Sequence, residues 1–176
     1  MIKLVKDKDI AFAHADIIVN AANGCGYMCG QYVKKAKTRE DVPRGVSESL
    51  NYYTNGLLEK EARKVLAKTA SKRLLWFPLP LSPGKFFITN SCGLDCAEVF
   101  HAVTMRFPGS RCSMKCIEPL IGQLFEYCVS KGHKSIAVPL LGCGTGRLDP
   151  ADVFKVISDH ADKYTDLSVE VYGKVK

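Results

Sequence analysis

Two stretches of the chain combine glycine with polar side chains in a pattern that suits anion binding. Gly24-Cys25-Gly26-Tyr27-Met28-Cys29-Gly30 follows an apolar run ending in Asn20-Ala21-Ala22-Asn23. Gly142-Cys143-Gly144-Thr145-Gly146-Arg147 follows Ile136-Ala137-Val138-Pro139-Leu140-Leu141. Glycine lets a backbone approach a ligand closely and turn with positive φ. Successive amides can then converge on phosphate oxygens. Neither stretch is a Walker loop, because no Gly-Lys-Ser/Thr follows the glycines, and neither is a Gly-x-Gly-x-x-Gly dinucleotide fingerprint. Taken singly, each is read equally well as a tight turn.

Other reactive side chains point less clearly to chemistry. Of eight cysteines, six form three Cys-x-x-x-Cys pairs, at 25/29, 92/96 and 112/116. Thiolates one helical turn apart can share a metal, but structural zinc favours Cys-x-x-Cys. Reduced thiols used for packing are therefore expected, with no metal and no cofactor. A nucleophilic Cys25, Cys29 or Cys143 would need a basic partner to lower its pKa, and the sequence identifies none. His101 lies in an apolar run and reads as a satisfied core histidine.

The elements that must position these residues alternate between strand and helix patterns, which predicts an α/β layer fold. Strands are expected at residues 2–5, 15–20, 85–90, 97–103, 135–141 and 167–172. The Ile17-Ile18-Val19 run suits a strand covered on both faces. Apolar spacing predicts helix over residues 46–69, broken at Asn55-Gly56, and over residues 113–131, stopped by Gly132. Asp149-Pro150 starts a last helix. Residues 74–83, with Pro78, Pro80 and Pro83, are expected to be extended and at most a sheet edge. In such a fold both glycine loops leave the carboxyl ends of buried strands, where open α/β sheets bind ligands.

The chain has 176 residues, enough for one domain with its own core, expected to span residues 1–176 as a monomer. No apolar run has membrane-spanning length. The N-terminus has no signal-peptide pattern, so a cytoplasmic protein is expected. The formal net charge of +7 favours anionic partners. Much of the excess lies in Lys34, Lys35, Lys37, Arg39 and Arg44. That stretch reads as a solvated loop, a phosphate-attracting rim or a nucleic-acid patch. The last is disfavoured because no stacking aromatics interleave with it. Nucleic acid is a possible partner that the sequence does not require.

Asp16-Ile17-Ile18-Val19-Asn20-Ala21-Ala22-Asn23 resembles the signature of the macrodomain family. Lys8-Asp9-Ile10 upstream, Gly84-Lys85-Phe86-Phe87-Ile88-Thr89, Val99-Phe100-His101-Ala102-Val103-Thr104 and Ser135-Ile136-Ala137-Val138-Pro139 followed by the second loop resemble its other blocks, in order. The resemblance implies a three-layer α/β/α sandwich with a mixed, mostly parallel sheet and a cleft for ADP-ribose or a derivative. It implies that Asp9 accepts from the adenine amino group and that the Ile10 amide meets the ring. Asn23 would bind the distal ribose and orient any attacking water. Asn20 would line or tie the first loop, with Gly26 and Gly30 beside the ligand. Gly142, Cys143, Gly144, Thr145, Gly146 and Arg147 would wrap the diphosphate, and Tyr172 would pack on the adenine or sit in the core. Members of the family either hydrolyse ADP-ribosyl linkages or ADP-ribose 1″-phosphate, or bind without chemistry.

The departures bear on that choice. Hydrolytic members follow the second asparagine with a Gly-Gly-Gly-Val-Asp-like run; here the acid is missing and residues 31–45 read as an insertion. A second branch pairs a middle-strand lysine with an aspartate in the second loop. Here those positions read as Asn90 and Gly146. Asp41, in the insertion, is an acid that could fold back as a base.

Overall fold

The computed structural model describes residues 1–69, 73–74 and 77–175, without the side chains of residues 69, 73, 74, 77 and 78. Its strands are β1 (Ile2–Val5), β2 (Ile17–Asn23), β3 (Arg73–Leu74), β4 (Phe77–Pro78), β5 (Phe86–Asn90), β6 (Glu98–Met105), β7 (Ser135–Pro139) and β8 (Ser168–Tyr172). The helices are α1 (Gly30–Val33), α2 (Val46–Tyr53), α3 (Leu57–Thr69), α4 (Met114–Lys131) and α5 (Pro150–Ala161). Short 3-10 turns cover Ile10–Phe12 and Arg39–Asp41.

Six strands form one sheet in the order β1-β8-β7-β2-β6-β5. Every neighbouring pair is parallel except β5 with β6. Alternation along the strands explains the two cores. Ile17 and Val19 point to the layer of α4 and α5, where they meet Ile117, Leu120 and Ile157. Ile18 and Ala22 point to the layer of α2 and α3, where they meet Leu50, Leu58 and Ala62. The α/β/α sandwich expected from the sequence is thus present.

Helix boundaries follow local chemistry. Asn55 (φ 52°) and Gly56 (φ 81°) take left-handed conformations that separate α2 from α3. Asp149 caps α5 by accepting from the Ala151 amide at 2.8 Å, with Pro150 in its first turn. Gly132 (φ 75°) ends α4. At the amino end of β2, the Asp16 carboxylate accepts from the amides of Lys134 (2.6 Å) and Ser135 (3.0 Å), which ties β2 to β7. The Lys134 amide, foremost, holds the Asp16 pKa below its ordinary value.

The expectation for residues 74–83 falls partly on residues 75 and 76, outside the described residues. The described part holds the short antiparallel pair β3–β4 and a stretch that reaches the first glycine loop, where the Leu81 amide donates to the Gly24 carbonyl at 2.9 Å. Among the described residues no helix is long and apolar enough to cross a membrane.

Candidate ligand cleft

The parallel strands all deliver their carboxyl ends to one edge of the sheet. Reading across it, the Asp9 turn follows β1, Tyr172 ends β8, the second glycine loop follows β7, the first follows β2, and Arg106 follows β6. Three inter-strand steps of about 4.8 Å separate β1 from β2, roughly 14 Å in all. An elongated ligand lying across these ends would meet Asp9, the second loop and the first loop in that order.

At one end, Asp9 caps the 3-10 turn. One carboxylate oxygen accepts from the Ala11 amide at 3.0 Å and the other from the Ser49 hydroxyl of α2. The Ile10 side chain is buried, and its amide has no acceptor among the described residues. Tyr172 departs from the stacking role: it is only 9% exposed, packs in the core cluster containing Ile10 and Val5, and donates its hydroxyl to Glu170 at 3.0 Å. Its phenol is pushed up to about 12, chiefly by burial.

The two glycine loops are built in opposite ways. In the first, the Asn23 side chain folds the loop on itself. Its Oδ1 accepts from the amides of Cys25 (3.1 Å) and Tyr27 (3.2 Å), and its Nδ2 donates to the Tyr27 carbonyl at 2.7 Å. That leaves one Nδ2 proton for a ligand. The Gly26 amide donates to the Asn23 carbonyl at 3.0 Å. Glu59 of α3 takes the next donors: its Oε2 accepts from the amides of Met28 (3.0 Å) and Gly30 (2.7 Å). The Gly26 and Gly30 amides are therefore spent inside the protein and are not free to donate to a ligand. Gly24 must be glycine, because a Cβ there would lie 2.1 Å from the Leu81 carbonyl oxygen.

The second loop keeps four of its amides free, although the Cys143 amide expected at the diphosphate is spent within the loop. Cys143, Arg147 and Leu148 give their amides to Leu140, Gly144 and Gly142 carbonyls. The amides of Gly142, Gly144, Thr145 and Gly146 have no acceptor among the described residues. The loop is braced from behind by Cys112, whose amide donates to the Gly146 carbonyl (3.1 Å) and whose thiol donates to the Thr104 carbonyl (3.1 Å). A Cβ on Gly146 would lie 2.3 Å from the Cys112 sulfur, so this glycine is a packing requirement. Around Gly144 there is open space. Arg106 and Arg147 are exposed at the loop margins and form no ion pair among the described residues.

Beneath the first loop runs a buried polar chain. Ser47 shares its proton between Asn20 Oδ1 (2.8 Å) and the Ala21 carbonyl (2.9 Å). Asn20 Nδ2 then donates to His101 Nδ1 at 3.1 Å. That assignment leaves the proton on His101 Nε2, which donates to the Thr89 hydroxyl at 2.9 Å. Burial pushes the His101 pKa down to about 3, so the ring is neutral. Asn20 is 0% exposed, which removes it from the ligand-contacting set: it ties α2 to β2 and β6.

Three further expectations change. Asn90 ends the antiparallel strand β5, opposite Glu98, at the amino end of β2 and so on the far edge from the loops. The neighbouring position on the cleft edge is taken by Arg106 instead, a residue the sequence did not single out. Asp41 is not a base over the cleft: its Oδ2 accepts from the Lys37 (2.8 Å) and Thr38 (2.9 Å) amides, and these bonds, Thr38's first, lower its pKa. Burial raises the thiol pKa values of Cys25 and Cys29 and pushes Cys143 up to about 11, which leaves all three protonated at neutral pH. Among the described residues no group of three or more His, Cys, Asp or Glu is placed to hold a metal ion. Glu48, in the first turn of α2, is the acid that sequence reasoning missed. It lies against the first loop and, among the described residues, has only the Cys29 thiol as donor (3.7 Å).

An open α/β/α sandwich with two glycine loops at the carboxyl ends of its central strands defines a small class of ligand-binding folds. Within that class, this chain belongs to the Macro domain family, whose model matches residues 19–157. No curated protein matches it by sequence. Solved structures with a similar fold include the macrodomain of Mycobacterium tuberculosis DarG, with TM-score 0.72 and 19% identity, covering 99% of this chain and 98% of that one. The Trypanosoma brucei macrodomain in complex with ADP-ribose is similar at TM-score 0.68 and 17% identity, covering 98% and 64%. The Oceanobacillus iheyensis macrodomain with ADP gives 0.71 and 17%, covering 97% and 82%.

Proposed function

We propose that the cleft binds ADP-ribose or a derivative of it. The observation that carries this reading is the set of four unpartnered amides in the second loop, lying between Asp9 on one side and Asn23 on the other. Free amides at a glycine loop suit phosphate oxygens. Asp9 can accept from an exocyclic amino group, the Ile10 amide can donate to a ring nitrogen, and the remaining Asn23 proton can reach a ribose hydroxyl. Arg147 adds positive charge at the margin of the diphosphate position, and Arg106 adds it beside the first loop. Two similar folds are described as bound to ADP-ribose or ADP, which supports the same ligand here.

Whether the bound ligand is also cleaved turns on Glu48. Hydrolysis at the anomeric carbon needs a group that orients and deprotonates water. Of the acids near the first loop, Asp41 and Glu59 are occupied by backbone amides, whereas Glu48 is not. We therefore assign binding as the function, and place any hydrolysis of an ADP-ribosyl linkage or ADP-ribose 1″-phosphate on Glu48 with Asn23.

Calorimetric titration with ADP-ribose, beside AMP and ribose 5-phosphate, tests the binding reading. Binding of ADP-ribose well above both fragments is expected, and Asn23→Ala weakens it. Equal binding of AMP and ADP-ribose would remove the distal ribose from the assignment. Turnover that survives Glu48→Gln undiminished would remove Glu48.

A further inference from the structure

The basic stretch after α1 has no place in the cleft just described, and the structure gives it neighbours that the sequence does not reveal. Lys37 lies between two open hollows. One, of about 450 Å³, is lined by Val33, Ala36, Tyr52, Tyr53 and Asn55 with Lys37. The other, of about 330 Å³, is lined by Tyr32, Lys35, Ala36 and Asp41 with Lys37. The rings continue beyond them: Tyr53 meets Tyr52 edge-on at 5.2 Å and Phe12 at 4.5 Å. Phe12 is 68% exposed, Tyr32 47% and Tyr53 38%, so aromatic surface is exposed on both sides of Lys37.

The charge on this face is net positive, with Lys34, Lys35, Lys37 and Arg39 against Glu40 and Asp41. Among the described residues, Lys34, Lys35 and Lys37 form no ion pair. The one acid in the hollows, Asp41, has an oxygen committed to the Lys37 and Thr38 amides. Aromatic rings alternating with unpaired lysines along an open track fit a chain that alternates flat bases with phosphates. A protein partner of ordinary composition would leave these lysines desolvated and unpaired. A duplex would hide its base faces from the rings.

We propose that the face formed by α1, residues 34–41 and the carboxyl end of α2 binds single-stranded nucleic acid by stacking on Tyr53, Tyr32 and Phe12 with phosphates on Lys35 and Lys37. The proposal goes beyond the cleft and does not rest on ADP-ribose binding there. DNA and RNA present the same bases and phosphates to such a track, so both are probes.

The test is fluorescence anisotropy with labelled oligo(dT) and oligo(U), long enough to cover about 16 nucleotides, in a salt series without ADP-ribose. At least one strand should bind more tightly than a duplex of equal length. Tyr53→Ala should weaken binding by roughly 5-fold or more. Lys35→Gln with Lys37→Gln should flatten the log–log salt slope by about 0.7 for each lysine. Thermal melts of both variants show whether they remain folded, and Tyr32→Ala stands in if Tyr53→Ala does not. Duplex binding as tight as single strand overturns the stacking, as does an unchanged affinity in the folded aromatic variant. Self-association of the free protein that Tyr53→Ala abolishes, without oligonucleotide binding, overturns the proposal in favour of a contact between copies.

Discussion

Replacing Glu59 tests whether the first loop is held by an internal carboxylate. Glu59 is 9% exposed and accepts from the Met28 and Gly30 amides at 3.0 and 2.7 Å through one oxygen, while Arg63 pairs with the other at 2.7 Å. The Arg63 side chain is 54% exposed, so that ion pair contributes little. The amide bonds dominate. A hydrogen bond to a charged acceptor contributes about 1.5–3 kcal/mol, and an orphaned buried donor costs a similar amount. The two amides share the oxygen with Asn51 Nδ2 (3.4 Å) and are not additive, so Glu59→Ala should cost about 3–5 kcal/mol. Glu59→Gln keeps an acceptor oxygen and should cost about 1–2 kcal/mol. Urea unfolding, with coincident transitions by two probes, gives the totals, and hydrogen exchange at the Met28 and Gly30 amides localises them. A Glu59→Ala protein within about 0.5 kcal/mol of the parent, with both amides still protected, would falsify the clamp.

Other expectations concern the second loop and the buried histidine. Gly146→Ala forces a Cβ to within 2.3 Å of the Cys112 sulfur and 2.4 Å of the Gly142 oxygen, so both melting temperature and ADP-ribose binding should fall. Gly144→Val meets open space in the free protein; calorimetry should show binding lost with the melting temperature kept, and loss of both would place Gly144 in the packing instead. His101 is held neutral, with a pKa of about 3 against 6.5 for an unfolded histidine. Between those values the unfolded chain binds the extra proton, so stability is full above pH 6.5 and declines as pH falls. The decline approaches about 1.4 kcal/mol per pH unit. Urea titrations between pH 6.5 and 5, above the range of most carboxylates, should show the slope reduced in His101→Gln, and an undiminished slope would assign it to another group.

Much of the frame is legible because its signals are local. Asn55-Gly56 splits the long helical pattern, Asp149-Pro150 starts α5, and Gly132 stops α4, each through conformational preferences that need no distant partner. The misplaced residues fail for a common reason: their roles depend on partners far away in sequence. Nothing local says that β5 runs antiparallel to β6, yet that direction alone carries Asn90 to the far edge. Asn20 and Asn23 sit three residues apart in one motif, and only the strand's alternation puts Asn20 into the α2–α3 layer with His101 and Ser47. The same alternation, applied to Val169 and Val171, would have turned Tyr172 toward the opposite core cluster. Glu59 gives no sign in sequence, since a carboxylate on an amphipathic helix reads as a solvated face until the fold brings Met28 and Gly30 to it.

The unequal treatment of the two loops bears on how a ligand would be recognised. A carboxylate already occupies the Met28 and Gly30 amides, so the first loop carries its own anion and is ordered before any ligand arrives. Ordering that precedes binding is not charged against affinity. It also means that the first loop offers little to a second negative charge: a phosphate placed beside Glu59 would be repelled, and the Met28 and Gly30 amides that would offset the repulsion are taken. Phosphate recognition therefore falls to the second loop, where Gly142, Gly144, Thr145 and Gly146 retain their protons and Cys112 holds the backbone from behind. The first loop is left with the neutral part of the ligand, which the remaining Asn23 proton can meet. On this division, removing the Glu59 charge alters the order of the first loop, whereas filling the space at Gly144 alters the ligand's seat, and the two kinds of damage are separable by exchange and calorimetry.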